Sequence, residues 1–324
     1  MQTSSKEGKK VLLRVSNLKQ YFPLKKKGLF VKANDGITLD IYEGETFGLV
    51  GESGCGKSTT GRTVVRLNKP TAGSVTFEGH DLFAKMNRQQ NMDLTQKIQI
   101  IYQDPYSSLD PRFTVGRCIE EPLIVHHMGN KEERRARVLQ LMHDVGLREE
   151  VYTRYPHEFS GGQRQRIGVA RALALDPKLV VCDEPVSALD VSIQAQILNL
   201  MRELQRKYQL TYIFISHNLS VVKHICDRIA VMYLGNIVEI APKKELFDNP
   251  LHPYTKALLG AIPIPDPDIP AMQDMLEGDV PSPINPPKGC CFHTRCHGCC
   301  KECTAQKPKL INVGNDHWVA CCKV

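Results

Sequence analysis

The sequence predicts an α/β fold with an N-terminal antiparallel β portion, a helical subdomain and a small cysteine-rich C-terminal appendage. Three observations predict it. Short apolar runs at residues 46–50, 179–182 and 212–215 alternate with stretches of helical periodicity, the pattern of a parallel sheet covered by helices. The first run leads into a glycine-rich loop that opens a helical pattern, and the second ends in the pair Asp183-Glu184. Eight of the twelve cysteines crowd into residues 290–322, behind two proline-rich stretches. At 324 residues and 42% hydrophobic content, the chain can bury a large core and is not a disordered one.

Taken in order, residues 11–15, 37–41 and 74–78 read as strands of the β portion. Gly51-Glu52-Ser53-Gly54-Cys55-Gly56-Lys57-Ser58 then fits the phosphate loop G-x-x-x-x-G-K-[ST], between a strand-like run and a helical pattern over 57–67. Its glycines let the backbone approach an anion, so that successive N–H groups form a nest around a β-phosphate. The helix start adds partial positive charge, Lys57 reaches the β and γ oxygens, and Ser58, followed by Thr59, brings a hydroxyl suited to Mg²⁺.

Residues 104–160 read as the helical subdomain, with Val138, Leu139, Leu141, Met142 and Val145 periodic over 132–145. Ser160-Gly161-Gly162-Gln163 opens another helical pattern, to about residue 175. Its N–H groups and the Ser160 hydroxyl make either a second anion site or an ordinary N-cap. Neighbouring strand residues point to opposite faces, so Asp183 can bind Mg²⁺ while Glu184 orients and deprotonates a water. Ile193, Ile197, Leu200, Leu204 and Tyr208 form one apolar stripe for packing, not a cofactor box. His217 follows the 212–215 run, at the strand end where parallel sheets place their ligand sites. Pro263-Ile-Pro-Asp-Pro-Asp-Ile-Pro270 and Pro281-Ser-Pro-Ile-Asn-Pro-Pro287 read as stiff extended connectors. The expected division is therefore 1–262 for the nucleotide-binding domain and 263–324 for a linker with a cysteine-rich domain.

The formal net charge of +7 comes with local clusters at Lys9-Lys10 and residues 25–27. No base-stacking or groove-reading module accompanies them, so they read as solvated lysines and nucleic acid is not an expected partner. No run approaches bilayer length, and Met1-Gln-Thr-Ser-Ser-Lys6 lacks an apolar secretory core. The expected location is the cytoplasm, at the membrane only through partners.

These pieces together resemble the nucleotide-binding subunit of an ABC transporter. The phosphate loop is followed, in the family's order, by Gln103 in Ile101-Tyr-Gln-Asp-Pro105, Ser160-Gly-Gly-Gln163, Asp183-Glu184, Ser187-Ala-Leu-Asp190 and His217 in Phe214-Ile-Ser-His217. The resemblance runs from about residue 11 to the C-terminus and implies a P-loop ABC-type nucleotide-binding domain that works as a dimer. ATP would be held by the phosphate loop of one subunit and by Ser160-Gly161-Gly162 of the other. It further implies that His217 contacts the γ-phosphate and the attacking water, that Gln103 senses the γ-phosphate and Mg²⁺ and links to the membrane subunit, and that Asp190 helps arrange the dimer interface. An aromatic upstream of the loop would stack on adenine; Tyr21, Phe22 and Phe30 compete, and Phe30 is the one selected.

Cys290, Cys296, Cys303 and Cys321 match a tail pattern, C-x-F-x-x-R-C…C…H-x-x-x-C, of peptide-importer ATPases, and Phe292, Arg295 and His317 match with them. Residues 281–287 and Asn249-Pro-Leu-His-Pro-Tyr-Thr-Lys-Ala-Leu258 resemble the same oligopeptide/dipeptide subfamily, and the phosphate loop leans toward its F-type subunit. This implies an ATP-hydrolysing subunit that energises uptake of oligopeptides or dipeptides. Its implied partners are a D-type ATPase in a heterodimer, two transmembrane permeases and, through them, an extracytoplasmic peptide-binding protein. Four thiolates suit a [4Fe-4S] cluster, with zinc or free thiols as alternatives. Clustering in a chain expected in the cytoplasm argues against disulfides, and the resemblance favours the cluster. Cys291, Cys299, Cys300 and Cys322 depart from the pattern and leave the ligands ambiguous by one residue at each end. Two other readings are a soluble ABC ATPase of nucleic-acid or translation processes and an iron-sulfur-regulated ATPase. The former is opposed by the single nucleotide domain and by the roughly 125 residues between Ser58 and Asp183, too few for a long coiled-coil hinge.

Overall fold

The chain begins as a long hairpin. Strand β1 (Val11–Pro23) pairs antiparallel with β2 (Phe30–Tyr42), in a register running from Val11 opposite Tyr42 to Pro23 opposite Phe30. The lysines at 25–27 lie in the exposed turn of this hairpin, closed by Leu24 N–H donating to Leu29 O at 3.0 Å. Strand β3 (Thr46–Val50), α1 (Lys57–Val64), β4 (Ala72–Phe77) and β5 (His80–Asp81) follow. The four-stranded sheet has the order β2-β1-β4-β5, with Leu13, Val15, Leu18 and Val75 fully buried on it. Helix α1 is shorter than its periodicity predicted because Arg66 turns left-handed at φ 64° and Leu67 N–H closes back onto Arg62 O.

The structure, a computed structural model, describes residues 9–261 and 278–324. It divides into two compact units: residues 1–83 with 216–324, and residues 84–215. The expected boundary at 262/263 and the connector at 263–270 lie outside the described residues.

The second unit contains α2 (Arg88–Lys97), β6 (Ile98–Ile101), α3 (Val115–Val125), α4 (Lys131–Asp144), α5 (Gly161–Leu173), β7 (Leu179–Asp183), α6 (Val191–Tyr208) and β8 (Thr211–Ser216). Strands β6, β7 and β8 are parallel, and every residue of β7 and β8 is buried. A strand covered on both faces needs an unbroken apolar run, which is how these two read in the sequence. Helices α3, α4 and α5 share a core of Val115, Ile119, Leu123, Val138, Leu141, Met142, Ile167 and Leu173. Two capping boxes, Asn130 with Glu133 and Ser160 with Gln163, fix where α4 and α5 begin.

The remainder of the first unit holds α7 (Leu219–Ile225), β9 (Arg228–Tyr233), β10 (Asn236–Pro242), α8 (Lys243–Asp248), α9 (Pro253–Gly260), α10 (Lys301–Ala305), β11 (Ile311–Asn312) and β12 (Trp318–Val319). Strand β9 runs parallel to β3 and antiparallel to β10. The cysteine-rich tail, expected as an appendage, is built into this unit: β12 pairs with β10, placing Val319 opposite Glu239. The proline stretch at 281–287 is not uniformly extended; it turns near Pro283, whose carbonyl accepts the Lys32 N–H at 3.1 Å. Among the described residues no helix is long and apolar enough to cross a membrane.

A fully buried carboxyl group joins the tail to this unit. Glu239 accepts the N–H groups of Leu251 at 2.8 Å and His252 at 3.0 Å, and pairs with His317 Nε2 at 2.6 Å. His252, also buried, caps α9 by accepting the Tyr254 N–H on Nδ1 at 3.1 Å. Protonating that nitrogen turns the cap's acceptor into a donor, and burial holds His252 down at about 4 against its ordinary 6.5. Between those values the unfolded chain binds the proton and the folded chain does not. This contribution is fully present above pH 6.5 and is lost as pH falls toward 4, amounting to about 3 kcal/mol. Urea unfolding across that window should show a midpoint that drops with pH, and a His252→Asn variant, whose amide can still cap, should show a shallower drop.

Candidate functional site

The phosphate loop is shaped by two carbonyls that leave no room for side chains. At Gly51, where β3 ends, φ is 150° and a Cβ would stand 2.2 Å from Met232 O on β9. At Gly56 φ is 104° and a Cβ would stand 2.2 Å from Ala33 O on β2. Gly54 is left-handed as well, at φ 78°, but a Cβ there would meet nothing within 4 Å. Gly56 is the N-cap of α1 and no side chain caps that end, so the helix presents a main-chain start of the kind that receives phosphate. Lys57, 3% exposed, donates to Gly51 O at 2.8 Å and Glu52 O at 2.9 Å. The loop's own carbonyls thus hold the ammonium at its mouth. Cys55 is buried against Lys57, and burial pushes its thiol up. Ser53 is exposed, while Ser58 and Thr59 sit half-buried on the first turn of α1.

In the second unit β7 delivers Asp183, 3% exposed, to its C-terminal end. The next residue, Glu184, takes a left-handed φ of 48°, a conformation that costs a non-glycine residue about 1 kcal/mol. Neighbouring bonds hold it there: Glu184 N–H donates to Ile215 O at 3.1 Å, and the Ser187 N–H and hydroxyl donate to Glu184 O at 3.3 and 3.0 Å. The kink turns the Glu184 carboxyl toward Gln103, whose Nε2 donates to Oε2 at 3.2 Å. Two residues 81 positions apart, singled out separately in the sequence, therefore meet.

Ser160 is an N-cap, accepting Gln163 N–H, while the Gln163 side chain accepts Ser160 N–H at 3.1 Å. Gly161 and the Ser160 side chain remain exposed beside this cap at the start of α5. Gly162 is buried, and a Cβ there would sit 2.5 Å from Ile193 of α6. Asp190 is exposed at the N-cap position of α6, where its carbonyl, not its carboxyl, accepts from Gln194 N–H at 2.8 Å. His217 is exposed just after β8. Residues 51–59 and His217 belong to the first unit, and Gln103, residues 160–163, Asp183, Glu184 and Asp190 to the second. Of the aromatics upstream of the loop, Tyr21 is committed through its hydroxyl to Asp35 at 2.5 Å, whereas Phe22 and Phe30 are exposed.

The tail thiols influence one another. Cys290 is held up at about 11, first by burial and then by the thiols of Cys303, Cys296 and Cys321, the other three of the expected set. Cys303 moves the other way, below its ordinary value: burial opposes the change, but hydrogen bonds from Cys300, Cys322 and Cys299 outweigh it. The Cys300 and Cys303 sulfurs are 3.2 Å apart. Among the described residues no group of three or more His, Cys, Asp or Glu stands in an arrangement that holds a metal ion.

Residues 34–187 match the family model described as ABC transporter, and residues 238–303 match the oligopeptide/dipeptide transporter C-terminal region. The chain is 52% identical over 328 residues to the oligopeptide transport ATP-binding protein OppF of Salmonella typhimurium, covering 98% of each. The chain belongs to the ATP-binding subunits of oligopeptide and dipeptide ABC transporters. It is an ATP hydrolase of that class. It is also 54% identical over 313 residues to the putative oligopeptide transport ATP-binding protein YkfD of Bacillus subtilis, covering 96% of this chain and 94% of that one. It is 50% identical over 315 residues to the dipeptide transport ATP-binding protein DppF of Haemophilus influenzae, with 96% of each covered. Among solved structures, a dimeric ATP-binding cassette in a post-hydrolysis state bound to ADP and phosphate superposes with TM-score 0.65 at 28% identity, over 72% of this chain and 99% of that one.

Contacts behind the phosphate loop of this ABC ATPase were not visible as motif roles in its sequence. Tyr254 of α9 accepts the Glu52 N–H at 3.0 Å, and Arg295 donates to the Glu52 carboxylate at 2.9 and 3.3 Å. Arg295 and Phe292 were legible only as matches to the tail pattern, and Tyr254 only as part of the matching stretch Asn249–Leu258. The wedge at the two glycines makes a graded prediction. Gly56→Ala should weaken nucleotide binding at least about ten-fold and lower the melting temperature, whereas Gly54→Ala, strained but unobstructed, should cost only about 1–2 kcal/mol of stability. Titration with a fluorescent ATP analogue and thermal unfolding would measure both.

Proposed function

We propose that this chain energises the uptake of oligopeptides or dipeptides across the cytoplasmic membrane, binding ATP at residues 51–59 and hydrolysing it with water oriented by Glu184. The observation that carries the reading is the phosphate loop itself: an uncapped start of α1, a buried Lys57 held at the mouth, and two glycines wedged against carbonyls. Lys57 and the loop's N–H groups stabilise charge on the transferring phosphoryl group. Glu184 takes the water's proton, while His217 aligns the water and the γ-phosphate. Gln103, already in contact with Glu184, couples the γ-phosphate to the membrane subunit. Ser160, Gly161, Gly162 and Gln163 close on the nucleotide of a partner subunit, with Asp190 at that interface. Phe30, or its neighbour Phe22, stacks on adenine; both rings are exposed, whereas the Tyr21 ring is half-buried with Lys32 Nζ over its face.

The hydroxyl, carboxylate and amide oxygens of Ser58, Asp183 and Gln103 fit a hard cation and would hold Mg²⁺. Bound there, Mg²⁺ supplies positive charge to the β and γ oxygens.

The assembly proposed is a heterodimer with a D-type ATPase, this chain being the F-type subunit, on the cytoplasmic face of two permeases that receive peptide from an extracytoplasmic binding protein. Membrane attachment is peripheral and runs through the permeases. Co-purification from membranes should recover both permeases and a second ATPase. Glu184→Gln should retain ATP binding while lowering steady-state turnover by about 10²–10³-fold. Undiminished hydrolysis by that variant would remove Glu184 from its role.

For the tail, the match of Cys290, Cys296, Cys303 and Cys321 to the peptide-importer pattern carries the proposal of a shared soft-metal site, a [4Fe-4S] cluster with zinc as the alternative. Such a group would cross-link residues 290–321. Anaerobically purified protein should carry iron and acid-labile sulfide in about a 1:1 ratio, both lost in a Cys303→Ser variant; zinc alone would select the alternative, and a metal-free folded tail would dismiss both.

A further inference from the structure

We propose that Arg295, in the cysteine-rich tail, is a positioning residue for the phosphate loop: it holds the Glu52 carboxylate away from the Lys57 ammonium, so that ATP meets an uncontested cation. The inference rests on the ATP-binding reading of the loop.

Glu52 is a poor neighbour for a nucleotide. It stands immediately after Gly51, its side chain is only 27% exposed, and its charge has the same sign as the phosphates that the loop receives. The same residue is joined to Lys57, because Glu52 O accepts the lysine Nζ at 2.9 Å and the Cys55 N–H at 3.3 Å. An unrestrained carboxylate at the end of that two-methylene side chain would compete with phosphate for the ammonium. It is restrained on two sides instead. Arg295 donates to both carboxylate oxygens, at 2.9 and 3.3 Å, in the fork geometry that suits a guanidinium. The Tyr254 hydroxyl accepts the Glu52 N–H at 3.0 Å and fixes the main chain.

The restraint is built on a rigid platform. Arg295 is 6% exposed, and its guanidinium lies over the Tyr233 ring at 5.8 Å. Tyr233, at the end of β9, packs edge-on against Tyr254 at 4.7 Å and Phe292 at 5.2 Å. Phe292 is buried three residues before Arg295, so the short segment of 292–295 carries both an apolar anchor and the cation. Strand β9 pairs with β3, which leads directly into the loop. Buried ion pairs contribute little on average to net stability, but removing one partner exposes the other's full desolvation cost. Here the orphaned partner would be an anion within the phosphate loop.

The test uses nucleotide binding and ATPase kinetics in the intact transporter. Arg295→Met, which keeps most of the side-chain volume, should raise the KM and Kd for ATP about ten-fold or more with kcat changed much less. Arg295→Lys, which keeps charge without the fork, should fall between that variant and the parent. The deciding measurement is Glu52→Gln added to Arg295→Met: removing the stray carboxylate should restore ATP affinity to within a few-fold of the parent. A role in folding alone predicts no such rescue, and an unrescued double variant overturns the proposal. Should Arg295→Met fail to fold, the KM of Arg295→Lys decides, since a value equal to the parent's overturns the proposal and a raised one upholds it. If the parent chain itself did not bind ATP, the reading of the loop would fall; parent binding with an unaltered Arg295→Met leaves that reading intact and removes only this role.

Discussion

Two main-chain carbonyls, Ala33 O on β2 and Met232 O on β9, press on the phosphate loop where any side chain at Gly56 or Gly51 would have to stand. An anion can be bound by backbone N–H groups only if the chain is bent into a nest, and the bend is not the chain's preferred conformation. The long β1–β2 hairpin and the parallel β3–β9 pair supply the walls that keep it bent. Removing either wall would leave a flexible glycine loop. The antiparallel β portion is therefore part of what shapes this loop, not a covering placed over it.

Much of this was legible because the signals were local. The strand-loop-helix context announced the phosphate loop, and unbroken apolar runs announced β7 and β8. The stripe on α6 buried Ile197, Leu200 and Leu204 as its spacing required. Strands β1 and β2 proved much longer than their apolar cores, because consecutive polar residues such as Lys19-Gln20 and Asn34-Asp35 and shifts in register break the period of two in their outer halves. Strands β11 and β12 have two residues each, too few to show any period. The contact between Gln103 and Glu184 follows from β6 pairing with β7, which no motif states. The Arg295–Glu52 pair bridges 243 positions, and only the folded β3–β9 arrangement brings its ends together.

Glu184 shows how a carboxyl is aimed at some cost to the backbone. Its left-handed conformation is one that glycine would adopt freely, yet glycine could not supply a carboxyl. The bonds from Ser187 and to Ile215 offset that strain and fix the direction of the side chain. The tail shows another economy: its thiols sit close enough to alter one another's acidity, and Cys303, though buried, is drawn below its ordinary value by the sulfur donors around it. A thiolate made available this way is the species that attacks electrophiles or binds soft metals.

The buried Glu239 carboxyl has a consequence for the order in which the chain matures. Two of its three donors, at Leu251 and His252, follow it by little more than a dozen residues, while the third, His317, is made much later. As the polypeptide emerges from the ribosome, the buried carboxyl of β10 must wait for that imidazole before all three of its hydrogen-bond partners are in place. A premature stop or a proteolytic nick ahead of residue 317 would therefore be felt deep inside the neighbouring sheet, far along the chain from the damage itself.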